Sequence, residues 1–401
     1  MKTSSLIHTV LGVAGLLAVG VPGSADAASY TAQYVGAVAG LGCGSECSDY
    51  GTYGINGSGQ VVGQDNNGDG HAFLWSSGGG MADLGTLPGG DYSYAYGIND
   101  SGQVVGESNY TTSNGTYYGA RAFLWNSGSG MTNLGTLGGS GSVARGINDS
   151  GQVVGYADTA STEHAFLWSS ASGMTDLGAL GGSSSFSWAE AVNGNSQVVG
   201  GSETASFTTH AFLWNSGSGM IDLGTLGGTS NATALNGNGQ VVGSSMTAGG
   251  YTHAFLWSSS SGMIDLGTSG GYDSEAYGIS DSGQVVGDVN GASGMYAFLW
   301  ESGTGMIDLN SLVTLKGGDY LVGAYGINDS GQIIATSEYG DAYLLTPVPE
   351  PATSALLLAG LGLIGVAVWP RRLMTAPVRI EADGHIATLH GNGNSNSVAE
   401  L

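Results

Sequence analysis

The chain has 401 residues, 75 of them glycine, and only 7 Lys and Arg against 31 Asp and Glu, a formal charge of −24. Such a field repels nucleic acid and anionic membrane surfaces, and leaves cations or neutral molecules as the favoured partners. It also keeps an exported protein soluble.

The amino terminus reads as an export signal. Lys2 precedes an apolar stretch from Val10 to Val21, and Ala25-Asp26-Ala27 follows. A basic start, a short apolar run and a small-x-small cleavage site describe a secretory signal peptide over residues 1–27. The run is too short to cross a bilayer as a helix. The only cysteines, Cys43 and Cys47, fall in the exported part. Three residues between them allow a local disulfide, worth roughly 2 kcal/mol by loop-closure entropy, whereas a metal site would need two further ligands from elsewhere.

From there one pattern repeats seven times: Tyr-Gly-Ile-Asn, a turn, Gly-Gln-Val-Val-Gly, a loop, His-Ala-Phe-Leu-Trp, a turn, then Met-x-Asp-Leu-Gly-Thr-Leu-Gly-Gly. The asparagine position falls at Asn56, Asn99, Asn148, Asn193, Asn236, Ser280 and Asn328, giving intervals of 43, 49, 45, 43, 44 and 48 residues. A period near 45 points to a propeller or a solenoid. In the second copy, Tyr96–Asn99, Gln103–Gly106, Arg121–Trp125 and Met131–Leu134 are four short strands separated by glycine turns, hence a four-stranded antiparallel meander. The third strand is apolar at every position, so both faces of each sheet are expected to be buried. Radially packed blades supply that burial, with Trp75, Trp125, Trp168, Trp214, Trp257 and Trp300 between them and Leu345 in the last copy. The seventh copy lacks a fourth strand, and Tyr30–Val38 precedes the first copy with no repeat of its own. The expectation is an all-β, seven-bladed β-propeller over residues 28–346, its last blade closed by the N-terminal strand. An open β-solenoid is the alternative, but it would not need complementary ends. This region carries 26 Asp and Glu against Arg121, Arg145 and Lys316, a net −23.

At the other end Val348-Pro349-Glu350-Pro351 precedes an apolar run from Ala352 to Trp369, closed by Arg371-Arg372. Motif, apolar segment and basic stop in this order resemble the PEP-CTERM sorting signal of Gram-negative bacteria that make exopolysaccharide. The resemblance implies a partner, a membrane-embedded exosortase that cleaves at the motif. It also implies anchoring of residues 347–372 in the inner membrane before processing, then a place at the cell surface or in the extracellular matrix. The arginines hold their side in the cytoplasm. Residues 373–401 form a polar extension without the repeat, expected to be disordered. The Ala-Phe-Leu-Trp, Asp-Leu-Gly-Thr-Leu-Gly-Gly and Gly-Gln-Val-Val-Gly blocks are similar to the HAF repeats of bacterial extracellular proteins, which implies export and no established reaction.

Candidate site residues come from comparing the copies. Turns joining strands one to two and three to four are monotonous, while the loops on the opposite face vary, as binding loops on a rigid scaffold do. The four-to-one loops carry Tyr92, Tyr94, Trp188 and Tyr272, and the first position of strand one reads Tyr53, Tyr96, Arg145, Glu190, Thr233, Tyr277 and Tyr325. Aromatic planes beside hydroxyls and charges suit sugar rings, although tyrosine is also common in β-proteins for packing alone. Asp65, Asn67 and Asp69, with Gly70, fit the opening of a calcium loop, but Ser76 stands where a bidentate glutamate would close it. No cofactor is otherwise required. Histidines before strand three, at His71, His164, His210 and His253, diverge between blades and read as structural or solvent-facing. For catalysis, Glu190 with Glu275 or Asp91 could form a carboxylate pair, yet no nucleophile elbow, phosphate loop or zinc motif occurs. The reading is therefore a non-catalytic exported protein that binds extracellular polysaccharide through its variable aromatic face. The alternatives are a glycosidase or lyase on that face, or a purely architectural or protein-binding scaffold.

Overall fold

Apolar runs punctuated by glycine turns fold as their spacing dictates. In the third repeat, Ser142–Ile147, Val153–Asp158, Glu163–Ser169 and Gly173–Asp176 form one antiparallel meander. The computed structural model describes residues 29–37, 54–65, 70–111, 117–292 and 294–349. Within them seven such sheets make seven blades of a β-propeller. Among the described residues blade 1 shows three strands, Val61–Gln64, Ala72–Ser76 and Gly80–Asp83, and a bridge between Ile55 and Val61. Blade 7 takes its fourth strand from the amino terminus: Tyr30–Ala37 lies antiparallel to Asp341–Pro347, with Tyr30 opposite Pro347 and Ala37 opposite Asp341. The complementary ends therefore close the ring as expected. Cys43, Cys47, Tyr53, Asn67, Asp69, Glu350 and Pro351 lie outside the described residues, as do the signal segment and residues 350–401. No helix among the described residues is long and apolar enough to cross a membrane.

The core is a series of layers between blades. Val62, Ala72, Leu84 and Leu87 of blade 1 pack on Ala95, Ile98, Val104 and Phe123 of blade 2, and the same arrangement recurs around the ring. Phe73, Phe123, Phe166, Phe212, Phe255 and Phe298 are at most 1% exposed, one in each of six layers, while the layer between blades 6 and 7 is filled by Leu309, Leu321, Ile333 and Leu345. The tryptophans lie between blades as expected; Trp75, for example, joins Ile334, Ala342 and Leu344 of blade 7.

At the turn face one side chain repeats a single device. Asn148 Oδ1 accepts from the backbone N–H of Ser150 and Gln152, at 3.1 and 3.0 Å. Its Nδ2 donates to Gln152 Oε1 at 2.7 Å and across the blade junction to the Asn193 carbonyl at 2.9 Å. The same inter-blade bond runs from Asn56 to Asn99, Asn99 to Asn148, Asn193 to Asn236 and Asn236 to Ser280, and Asn328 closes the circle on Asn56. Ser280 has no amide to extend, and that junction is bridged by the Asp281 N–H donating to Asp329 Oδ1 at 2.8 Å. The turn needs a left-handed residue, supplied by glycine in most copies (Gly151, φ 74°) and by Ser196 at φ 58° in blade 4.

Buried amides satisfied at both ends are costly to remove, because the partners stay behind unpaired. Asn148→Ala should lower the unfolding free energy by about 3 kcal/mol, read as a fall in the denaturation midpoint. Ser280→Asn, which supplies the missing amide, should raise the midpoint. An unchanged midpoint in the first variant would contradict this role.

Candidate functional site

The first strand of each blade lines the axis, and its small residue is required by crowding there. A Cβ added at Gly97 would stand 3.0 Å from the Arg145 carbonyl, and one at Gly146 would stand 2.8 Å from that of Glu190. Alanine takes this place at Ala191 and Ala234. The residue just before it is skipped in the pairing. Ala144 opposes Gly155 and Gly146 opposes Val154, leaving Arg145 as a bulge. The same bulge falls at Tyr96, Glu190, Thr233, Tyr277 and Tyr325. Bulges re-aim side chains, and in six blades the bulge falls on the position that varies from copy to copy. Arg145, Glu190, Tyr277 and Tyr325 line the axial cavity of about 220 Å3 together with backbone from all seven blades.

The mouth has two chemically distinct sides. On one, the Tyr94 and Tyr96 rings stack at 6.2 Å with an interplanar angle of 3°, and Tyr92 meets Tyr94 edge-on at 5.7 Å. The Arg145 guanidinium lies 4.5 Å from the Tyr96 ring centre and 5.6 Å from that of Tyr156. Tyr96 also donates to Glu107 Oε1 at 2.9 Å. Burial opposes the charge of Arg145, but Glu190 and then the two tyrosines outweigh it and hold the group above its ordinary value. Burial, opposed by Arg145, pushes the Tyr156 hydroxyl up to about 12.

On the other side Tyr277 and Tyr325 stack at 5.3 Å and 28°. The Tyr277 hydroxyl lies 3.1 Å from Asp288 Oδ2 and 3.2 Å from Glu275 Oε2. One hydroxyl proton thus serves two carboxyl groups. Burial first, and then the neighbouring Glu275, push Asp288 up to about 7, while the Tyr277 bond pulls the other way. Glu275 is raised as well, by burial and by Asp273.

Several expected residues hold other places. Tyr94 and Trp188 belong to the first strands, Ser93–Ile98 and Ser187–Val192, not to the preceding loops. The strands extend further towards the loop face than Tyr-Gly-Ile-Asn, because Tyr94 pairs with Glu107 and Trp188 with Gly201. The Trp188 indole occupies the space that a Cβ on Gly201 would need. Tyr272 is exposed at the loop before blade 6. Of the carboxylates weighed for catalysis, Glu275 is joined through Tyr277 to Asp288, Glu190 is coupled to Arg145, and Asp91 accepts from Asn109. Glu107, Tyr156 and Asp288 escape a reading of the sequence alone. Their signal is the residue after Val-Val-Gly, which alone varies within a constant block: Gln64, Glu107, Tyr156, Gly201, Ser244 and Asp288.

The histidines are structural. His71, His164, His210 and His253 each place Nδ1 against the carboxylate twelve residues on, Asp83, Asp176, Asp222 and Asp265, at 2.8–3.1 Å. Of the calcium candidates only Asp65 is described; its Oδ1 accepts from the His71 N–H at 3.4 Å. Among the described residues no group of three or more His, Cys, Asp and Glu side chains is placed to hold a metal ion.

Residues 347–372 match the family model for the PEP-CTERM protein-sorting motif. This chain carries an exosortase sorting signal. It is therefore an exported protein, anchored transiently in the membrane before exosortase processes it. No curated protein matches the chain. Among solved structures it is similar to the WD40 β-propeller domain of Doa1, at 16% identity over 80% of this chain and 98% of that one, with a TM-score of 0.46. It is similar to virginiamycin B lyase from Staphylococcus aureus at 12% identity over 80% and 100%, TM-score 0.45. Against TolB from Acinetobacter baumannii the identity is 10% over 72% of this chain, the TM-score is 0.39, and the chain spans less than two thirds of that protein, 63%. Likenesses this distant carry no argument about activity.

The Asp288 carboxyl gives a pH signature. Its folded value, about 7, lies above its ordinary 3.8, so the folded state binds the extra proton and is favoured at low pH. That stability is fully present below about pH 4 and is lost as pH rises to about 7, the unfolding free energy falling by about 1.4 kcal/mol for each pH unit crossed. Asp288→Asn should flatten the melting temperature between pH 4 and 7 and make the protein more stable than the parent at pH 8. Parallel pH curves for the two proteins would contradict the assignment.

Proposed function

We propose that the propeller is a non-catalytic surface or biofilm-matrix protein that holds extracellular polysaccharide at the loop-face mouth of its channel. The observation that carries this reading is the set of bulges that brings Arg145, Glu190, Tyr277 and Tyr325 to one axial cavity, with the bulged Tyr96 stacked against Arg145. Tyrosine faces stack on the C–H faces of sugars, and the flanking carboxyl and guanidinium groups take hydrogen bonds from or give them to hydroxyls. A volume of about 220 Å3 is below the roughly 300–1,000 Å3 of pockets that enclose a drug-sized ligand. A polymer would therefore lie across the mouth with a single sugar or substituent entering it. The sorting signal, in its resemblance to those of exopolysaccharide producers, and the likeness of the blocks to HAF repeats support the same setting.

Co-sedimentation of the protein with its host's extracellular polysaccharide tests this. Binding is expected, and Tyr96→Ala with Tyr277→Ala should weaken it at least tenfold, about 1.4 kcal/mol. Weaker binding in chelator would add calcium at Asp65, Asn67 and Asp69 to the site, whereas calcium-independent binding leaves the tyrosines as the contact. No binding in either condition would overturn the proposal in favour of an architectural or protein-binding scaffold.

A second reading, a glycosidase or lyase, is supported by one observation: a buried carboxyl with a raised pKa beside a second acid is the arrangement a general acid needs. Depolymerisation of the same polysaccharide that disappears in Asp288→Asn would establish it. Unchanged polymer length after prolonged incubation would dismiss it.

A further inference from the structure

The buried asparagine amide that ties neighbouring blades at the axis is missing from one junction, that of blades 6 and 7, where Ser280 stands in its place. What crosses the turn face there is the solvent-exposed bond from the Asp281 N–H to Asp329 Oδ1. At the junctions of blades 1 and 2, 2 and 3, and 5 and 6, a bond of this kind, to Asp100, Asp149 and Asp281, accompanies the buried amide. Gln284, whose counterparts hold the ring amide, donates instead to Glu301 of its own blade at 2.7 Å.

Further along the strands the same junction carries two acids. Val286 belongs to the apolar layer shared with blade 7, and side chains two apart on a strand share a face, so Asp288 is turned towards blade 7 as well. Glu275 lies directly opposite Asp288 in the ladder and is on that face too. The Tyr277 hydroxyl stands between the two carboxyls, and the Tyr277 ring stacks on Tyr325 of blade 7. The other titratable groups acting here are Asp273, on the strand of Glu275, and Tyr325, whose hydroxyl burial and then Asp288 push up to about 12. The third-strand residue opposite Asp288 is Ala297. None of these groups is cationic. Ionising both acids therefore sets two like charges on a buried face without a counter-charge, which is relieved by letting water in. Away from the axis the junction is closed by Leu309, Leu321, Ile333 and Leu345, all 0% exposed in one layer.

We propose that the junction of blades 6 and 7 is a proton-operated seam in the ring. With the acids protonated, blade 6 is held to blade 7 at the axis. When both ionise, the first strands Asp273–Ile279 and Leu321–Ile327 part, the outer apolar layer acts as the hinge, and the channel widens between Tyr277 and Tyr325. Asp288 sets the range: burial and then Glu275 raise it to about 7, so the seam is closed in acid and loosens as pH rises through that value. None of this depends on what the channel binds.

Distances between equivalent turns test the seam. Ser101, Ser150, Ser282 and Ser330 hold the same place in the turns of blades 2, 3, 6 and 7, and all are exposed. In the full-length chain, spin labels carried on a ketone-bearing amino acid, which leaves Cys43 and Cys47 untouched, replace Ser282 and Ser330 across the seam. A second pair replaces Ser101 and Ser150, across a junction that keeps its amide. Electron paramagnetic resonance then reads the distance distributions at pH 5 and pH 8. The Ser282–Ser330 distribution is expected to be narrow at pH 5 and to broaden and shift outward at pH 8, while the Ser101–Ser150 distribution stays the same. Asp288→Asn, which cannot ionise, should keep the seam pair narrow at pH 8, and Ser280→Asn, which supplies the buried amide, should reduce the broadening. An unchanged seam pair in the parent, equal broadening in both pairs, or an Asp288→Asn variant that broadens like the parent would overturn the proposal.

Discussion

A buried primary amide at the blade junctions is the interaction on which the architecture depends. Each asparagine, 3–6% exposed, uses its oxygen to fold its own turn and one amide proton to grip the next blade. The bond therefore makes local geometry and ring assembly a single event. A side chain lacking either the acceptor or the two donors could do only half of this, as Ser280 does. Because Asn328 reaches Asn56 across 272 residues of sequence, the last turn is bonded to the first while the amino-terminal strand completes the same blade from outside. Inner and outer closure therefore occur at blade 7 together.

Pinning the turn face in this way frees the other. Close approach of the first strands demands glycine or alanine at the axis, and the bulge just before that residue lets the side chain vary without disturbing the ladder. Gly155, Gly200, Gly243 and Gly287 in the second strands complete the arrangement, since a Cβ at any of them would overlap a carbonyl of the first strand. The scaffold is thus uniform where blades touch and diverse where the channel opens. A cationic, aromatic side around Arg145 and an acidic side around Asp288 are made by the same backbone.

Much of the fold is legible in the sequence because it rests on local pattern. The period, the glycine turns and the unbroken apolar third strand announce blades, and the unmatched ends announce closure. The bulged positions are also legible as the variable residue beside a constant small one. What escapes the sequence is non-local. The partner of each bulged residue sits on the second strand, so Glu107, Tyr156 and Asp288 become visible only once pairing is known, even though their position varies within a constant block. Sequence pattern places Trp188 in a loop because it does not mark where a strand stops; the pairing with Gly201 does. The constant interval of twelve residues between His71 and Asp83, repeated in three other blades, is equally present. Its meaning as a clip between the start of the third strand and the end of the fourth needs the sheet.

A rigid, self-bonded turn face thus presents a variable mouth, and glycan binding at that mouth is tested most directly by hydrogen–deuterium exchange of the protein, alone and with its host's extracellular polysaccharide. New protection is predicted in the segments around Tyr92–Tyr96, Arg145, Trp188–Glu190 and Tyr272–Tyr277, with the asparagine turns slow to exchange and unchanged in both states. Protection confined to the turn face, or no change anywhere at saturating polysaccharide, would contradict it.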